Sequence, residues 1–175
     1  LNPELVRSSI AQKLGIENAD FIKTPRNIEG IVDIILDATQ NFDNPLSEIR
    51  LLGWHNSLFQ TGFSGYQQID VAKYRSGGMK VVSGNFGREK IHFEAPTAER
   101  VPYEMEQFLD WLNNDTSLDL VIKSIIAHFW FVTIHPFDDG NGRIARAILD
   151  MFLAKSDNSK IRFYSLSNQI FKEHK

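Results

Sequence analysis

The segment richest in chemical groups runs His135-Pro136-Phe137-Asp138-Asp139-Gly140-Asn141-Gly142-Arg143-Ile144-Ala145-Arg146. Gly140 and Gly142 let the backbone turn sharply and approach a ligand with no Cβ in the way. The apolar period that follows predicts a helix from Asn141 to Lys155, with Ile144, Ile148, Met151 and Phe152 inward. The first N–H groups of such a helix lack acceptors, and its dipole is positive at that end. Loop and helix start together make an anion site. Arg143 and Arg146 are three apart and share a face. Two guanidinium forks there suit a chain of phosphates better than one carboxylate. Asp139 would repel phosphates unless a cation lies between, and Mg²⁺ favours one or two carboxylates plus phosphate oxygens. His135, with an unperturbed pKa of about 6.5, is the candidate general base. Asp138 reads as a turn or cap residue. The set describes attack by a hydroxyl on a nucleotide phosphate; the pattern leaves open which phosphate. No Gly-Lys-Ser/Thr follows the glycines, so this is not a P-loop, and the third glycine of a dinucleotide fingerprint is missing.

The elements that must position these residues are mostly helical. Expected helices are Pro3 to Leu14, Ile28 to Thr39 with Asn27 as cap, Leu46 to Phe59 with Pro45 in its first turn, and Pro102 to Leu112. Leu118 to Ile134 is apolar almost all round, which predicts a buried central helix ending before Pro136. His128, Phe129, Trp130 and Phe131 on it read as core, and Trp54 and Trp111 as packing residues. A last helix is expected from about Ser167. The glycine-rich stretch after position 60 carries β-prone runs at Lys80 to Ser83 and Lys90 to Phe93, a hairpin turning at Ser83 to Gly87. The expectation is an all-α domain with one small hairpin.

The chain has 175 residues, 42% of them hydrophobic and 23% charged, enough for one compact domain with a core. A net charge of -3 argues against a sequence-independent nucleic-acid binder. The absence of cysteine excludes disulfides, thiolate metal sites and cysteine nucleophiles. Glu4, Arg7 and Lys13 lie within the first fourteen residues, unlike a signal peptide, and the run Val121 to Ile134 is too short for a bilayer. No membrane partner and a cytoplasmic location are expected.

From His135 to Arg146 the sequence resembles the Fic family, whose signature is His-x-Phe-x-Asp/Glu-Gly-Asn-Gly-Arg-x-x-Arg; every fixed position is met. Tyr74-Arg75, Lys90 to Pro96 and Met105 to Asn113 are similar to the regions flanking the flap of bacterial Fic proteins. The likeness implies a Fic-like helical bundle over residues 23–175, with residues 1–22 as the tail of a preceding helical region. It implies a protein adenylyltransferase: His135 takes the proton of a Ser, Thr or Tyr hydroxyl on a target protein, and that oxygen attacks the α-phosphate of ATP. Asp139 would hold Mg²⁺. Gly140, Asn141 and Gly142 would bind phosphates by main-chain and amide groups, and Arg143 and Arg146 would neutralise them. Phe137 would anchor the loop. The hairpin would be a flap that docks the target by strand addition, with Ile91 and His92 near the nucleotide.

Asn27-Ile28-Glu29-Gly30 resembles the inhibitory helix of self-restrained relatives, where the glutamate pairs with the second signature arginine, here Arg146. The family pattern has Ser or Thr four residues before that glutamate; Pro25 stands there, and Thr24 is one residue out of register. Relatives continue after the signature into residues that cover the adenine, and this chain stops at Lys175 before them, so an incomplete adenine cover is expected. A homodimer is compatible with the likeness. Other readings are removal of AMP, transfer of another nucleotide or phosphoryl group, and a catalytically silent interaction module. The uninterrupted Gly-Asn-Gly-Arg argues against the Doc-like kinase branch, and the complete signature argues against silence.

Overall fold

The structure, a computed structural model, describes residues 2–16, 23–83 and 90–160. In chain order these form α1 (Pro3–Lys13), α2 (Arg26–Gln40), α3 (Glu48–Leu58), β1 (Phe63–Ser64), β2 (Gln67–Gln68), β3 (Lys80–Ser83), β4 (Lys90–Glu94), a 3-10 turn (Ala98–Arg100), α4 (Val101–Asn114), α5 (Leu120–Ile134) and α6 (Asn141–Asp157). The all-α architecture with a small hairpin is as expected. The expected helix from Ser167 and most of the turn after Ser83 lie outside the described residues.

The most extensive helix pairing is α5 with α6; α2 and α3 pack on α6, α4 on α5, and α1 on α2. Val32, Ala38, Leu51, Met105, Phe108, Phe131, Ile144 and Ile148 are buried between them. An aromatic line runs through this core. Phe108 of α4 meets Phe131 of α5 at 5.8 Å between ring centres, and Phe131 meets Phe137 of the following loop at 6.3 Å. The loop is thus seated on the core. No helix among the described residues is long and apolar enough to cross a membrane.

Several helix starts differ from expectation. Ser47, not Pro45, begins α3: its hydroxyl accepts the Arg50 N–H at 3.2 Å. Leu46 is left outside, its N–H donating to Asn113 Oδ1 at 3.0 Å. Proline supplies no capping oxygen, whereas serine does. α2 starts at Arg26 behind Pro25, with no side-chain cap; Asn27 already lies inside the helix. Asp119 caps α5 by accepting the N–H groups of Val121 and Ile122.

α5 is not buried all round. Val121, Ile122, Ile125, Ile126 and Phe129 face outward, with Phe129 65% exposed, while Ala127, Phe131 and Ile134 are buried. Phe129 is therefore not core. Helical periodicity cannot choose a face on a helix that is apolar everywhere. His128 is half-buried, and its Nδ1 is buried without a hydrogen-bond partner among the described residues. Trp54 does pack in the core, and its indole N–H also donates to Asp37 Oδ2 at 2.7 Å.

The β3–β4 hairpin is antiparallel, with Lys80 opposite Glu94 and Val82 opposite Ile91. A bulge between Val81 and Val82 leaves His92 without an opposite residue. All residues of both strands are exposed. A second, two-residue hairpin, β1–β2, was not foreseen, although Gly65-Tyr66 supplies the glycine-first pair such tight turns use.

Candidate active site

α5 ends at Ile134, and His135 takes the left-handed cap conformation, φ 52° and ψ 58°. Outside glycine that conformation costs roughly 1–2 kcal/mol. It is held from several sides. The His135 N–H donates to Phe131 O at 3.0 Å. Arg75 Nε donates to His135 O at 2.7 Å, and Arg75 N–H to Pro136 O at 2.8 Å. The imidazole Nδ1 lies 3.2 Å from Val132 O. A carbonyl only accepts, so Nδ1 carries the proton and a neutral ring keeps a bare lone pair on Nε2. Burial pushes the His135 pKa below its ordinary value; the Val132 contact opposes this, the Arg75 charge adds to it and Asp139 opposes it. The shift favours the neutral ring at pH 7, with its Nε2 lone pair free to accept a proton.

The turn after His135 is braced internally. Phe137 is fully buried and stacks on His55 at 4.1 Å. Asn141, also buried, accepts the Phe137 N–H at 3.0 Å and donates to Phe137 O at 2.7 Å. The Asn141 amide is thus spent on the loop, and only its backbone N–H remains for a phosphate. Gly140 has φ +85°, and a Cβ there would lie 2.8 Å from the Phe59 ring, so glycine is needed twice over. A Cβ on Gly142 would meet nothing within 4 Å; that glycine leaves open space.

Asp139 is half-exposed in front of α6. Gly140 N–H donates to its Oδ1 at 2.5 Å, Arg143 Nη2 to its Oδ2 at 3.1 Å, and the Ser64 hydroxyl to the same oxygen. Burial would raise its pKa, but the bonds from Ser64 and Gly140 and the charge of Arg143 hold it below the usual carboxylate range. Its backbone is fixed by His55, wholly buried: Nδ1 accepts the Ala72 N–H at 3.0 Å, so Nε2 carries the proton donated to Asp139 O at 3.2 Å. Among the described residues no group of three or more His, Asp or Glu side chains could hold a metal. A cation at Asp139 would complete its shell with water and phosphate oxygens, which is the habit of Mg²⁺. Asp138 accepts the Asp70 N–H at 3.2 Å, as a turn residue does.

Arg143 lies over the Phe59 ring at 4.8 Å, and Arg146 is exposed. Both line a cavity of about 210 Å³ between α2 and α6, shared with Ile31, Ile34, Ile35 and Leu58. Glu29, half-buried in the first turn of α2, makes no ion pair among the described residues, and neither does Arg146. The expected Glu29–Arg146 contact is not formed here. Gly30 beside it presses on α3: a Cβ would lie 1.9 Å from Ser57 O. Ile91 and His92 are exposed on β4, with His92 Nε2 2.5 Å from the Ser83 hydroxyl and, among the described residues, no hydrogen bond to the 135–146 loop. A larger cavity, about 480 Å³ between the start of α3 and α4, contains none of the signature residues, so size does not mark the site.

Sequence reasoning gave no role to three residues that shape this site: His55, Ser64 and Arg75. His55 and Ser64 carry no local pattern, and Tyr74-Arg75 carries only its similarity to the segment before the flap of Fic proteins.

A family model described as the Fic/DOC family matches residues 45–153. The chain is 39% identical over 141 residues to a probable protein adenylyltransferase of Aquifex aeolicus (strain VF5), covering 79% of this chain and 39% of that protein. It is 38% identical over 66 residues to the protein adenylyltransferase fic-1 of Caenorhabditis elegans, 37% of this chain and 13% of that protein. A solved Fic family protein from Desulfovibrio desulfuricans G20 superposes with TM-score 0.57 at 29% identity, over 87% of this chain and 47% of that one. A Fic domain-containing signaling protein from Bacteroides thetaiotaomicron VPI-5482 shares the fold, with TM-score 0.66 at 22% identity, over 95% of this chain and 62% of that one. The chain spans well under half the length of the curated relatives it matches.

Proposed function

The chain belongs to the Fic/DOC family, and from that footing we propose that it is the core of a protein adenylyltransferase. The observation that carries this reading is the bare Nε2 of a neutral His135 at the loop that opens α6. In the reaction, a Ser, Thr or Tyr hydroxyl of the target gives its proton to Nε2. Its oxygen forms the new bond to the α-phosphorus of ATP. The bond from that phosphorus to the bridging oxygen breaks, and pyrophosphate leaves with the electron pair. The N–H groups of Asn141 and Gly142, Arg143 and Arg146 would hold the phosphate chain. Asp139 would hold Mg²⁺, which when bound offsets the phosphate charge.

The exposed strands of the β3–β4 hairpin suit addition of a target segment, and Ile91 and His92 would then lie along the docked peptide. Glu29 is the proposed restraint. Its helix borders the cavity that Arg143 and Arg146 share, so its carboxylate would compete with the terminal phosphate for the Arg146 guanidinium.

The test is incubation with α-labelled ATP, Mg²⁺ and cell extract. Wild type labels proteins or itself, Glu29→Gly labels more, and His135→Ala labels nothing. Equal labelling by wild type and His135→Ala overturns the reading.

A further inference from the structure

We propose that Arg75 is a positioning residue that ties both roots of the β3–β4 hairpin to the backbone of His135, and so sets where that imidazole points. The inference rests on the transferase reading for what the imidazole does, but on geometry alone for how it is held.

Arg75 is 3% exposed, and its guanidinium ends on four backbone carbonyls. Nε donates to His135 O at 2.7 Å, Nη2 to Ile134 O at 3.3 Å and to Pro96 O at 2.6 Å, and Nη1 to Gly77 O at 2.6 Å. Ile134 and His135 are the end of α5, whose last carbonyls have no helical donor and whose dipole is negative there. Gly77 precedes β3 and Pro96 follows β4, so these two carbonyls are the feet of the hairpin. One planar cation therefore joins the helix that presents the base to the hairpin proposed to present the target.

Only arginine can do this. Its fork offers five N–H donors in one plane, whereas lysine has three on a tetrahedral nitrogen. The contact falls on the carbonyl of His135 itself, whose left-handed backbone is otherwise unfavourable. Releasing that carbonyl frees the cap to relax and swings the ring. Among the described residues Arg75 makes no ion pair and no hydrogen bond to the Gly140–Arg146 cradle, so it acts on the base rather than on the nucleotide.

The test is Arg75→Lys, read as turnover at saturating ATP against ATP affinity by calorimetry. We expect turnover to fall by about 10–100-fold, the scale of a base displaced by about 1 Å, with the ATP dissociation constant within about twofold of wild type. Unchanged turnover, or turnover and affinity lost in parallel, overturns the proposal. A second readout needs no activity. In ¹⁵N-labelled protein the His135 ring shows one tautomer with the proton on Nδ1, and Arg75→Lys mixes the two; an unmixed ring in the variant overturns the proposal. If the variant does not fold, wild type decides alone. The Arg75 guanidinium signals must be separately resolved, slow to exchange and coupled across hydrogen bonds to the carbonyl carbons of His135 and Pro96. A single averaged signal overturns it. Failure of the transferase reading shows elsewhere, as label retained by His135→Ala.

Discussion

The proton-accepting nitrogen of His135 is available because the other nitrogen is occupied by Val132 O. The working form is the neutral ring, and its folded pKa lies below the ordinary value of about 6.5. The base therefore loses its lone pair only as pH falls through that depressed value. A plot of kcat/KM for label transfer against pH should stay flat from 8 to about 6.5 and fall on the acid side of it; an acid limb centred above 7 contradicts the shift. Asn141 supports a second prediction at this scale. Asn141→Ala leaves the Phe137 N–H and C=O unpaired inside the core, and should cost about 1–3 kcal/mol by urea unfolding. A loss under about 0.5 kcal/mol, the range of surface changes, would mean the amide is not a brace. The signature residues were legible because they are contiguous, and each residue type fits its place in the turn. His55, Ser64 and Arg75 were not, because each reaches the loop from about 60 to 84 residues away in sequence, and no local spacing encodes such a meeting.

Among the elements, α2 and α5 show how far apolar periodicity carries. On α2 the amphipathic stripe located the helix, with Ile28, Val32, Ile34 and Ala38 inward. It did not explain Gly30, whose lack of a side chain lets α2 lie against the end of α3. Gly30→Ala should push the helices apart and cost about 1–3 kcal/mol, although alanine is the better helix former. A stabilised variant would show that the two backbones do not touch. α5 has too many apolar positions for a stripe to be visible, so the sequence suggested burial all round and the packing of α4 and α6 chose the face. The contrast is measurable by substitution. Phe131→Ala removes a wholly buried ring and should cost about 3–5 kcal/mol, whereas Phe129→Ser, 65% exposed, should cost under about 1 kcal/mol. Equal costs would mean the outward face is covered in solution.

At the scale of the whole molecule, stability is unevenly distributed. α5 and α6 share the largest helix contact and bury Ala127, Phe131, Ile144, Ala145 and Ile148 between their neighbours. The β3–β4 hairpin buries none of its strand residues, and its pairing is interrupted by the bulge at His92. Its feet at Gly77 and Pro96 are held to the rest by Arg75, while the Ala95 N–H, donating to Met79 O at 3.0 Å, closes the hairpin itself. An element held at its feet and exposed along its length opens on its own, without unfolding the core. Native-state hydrogen exchange should therefore find the amides of Val81, Val82 and Ile91 protected far less than those of Phe131 and Ile148. A target segment added along the hairpin edge would supply the missing partners and slow that exchange, while ATP alone, which offers no strand to pair, would not. If the hairpin and the α5–α6 pair instead exchange together at the global unfolding rate, the hairpin is part of the cooperative core, and its use as a movable docking edge is excluded.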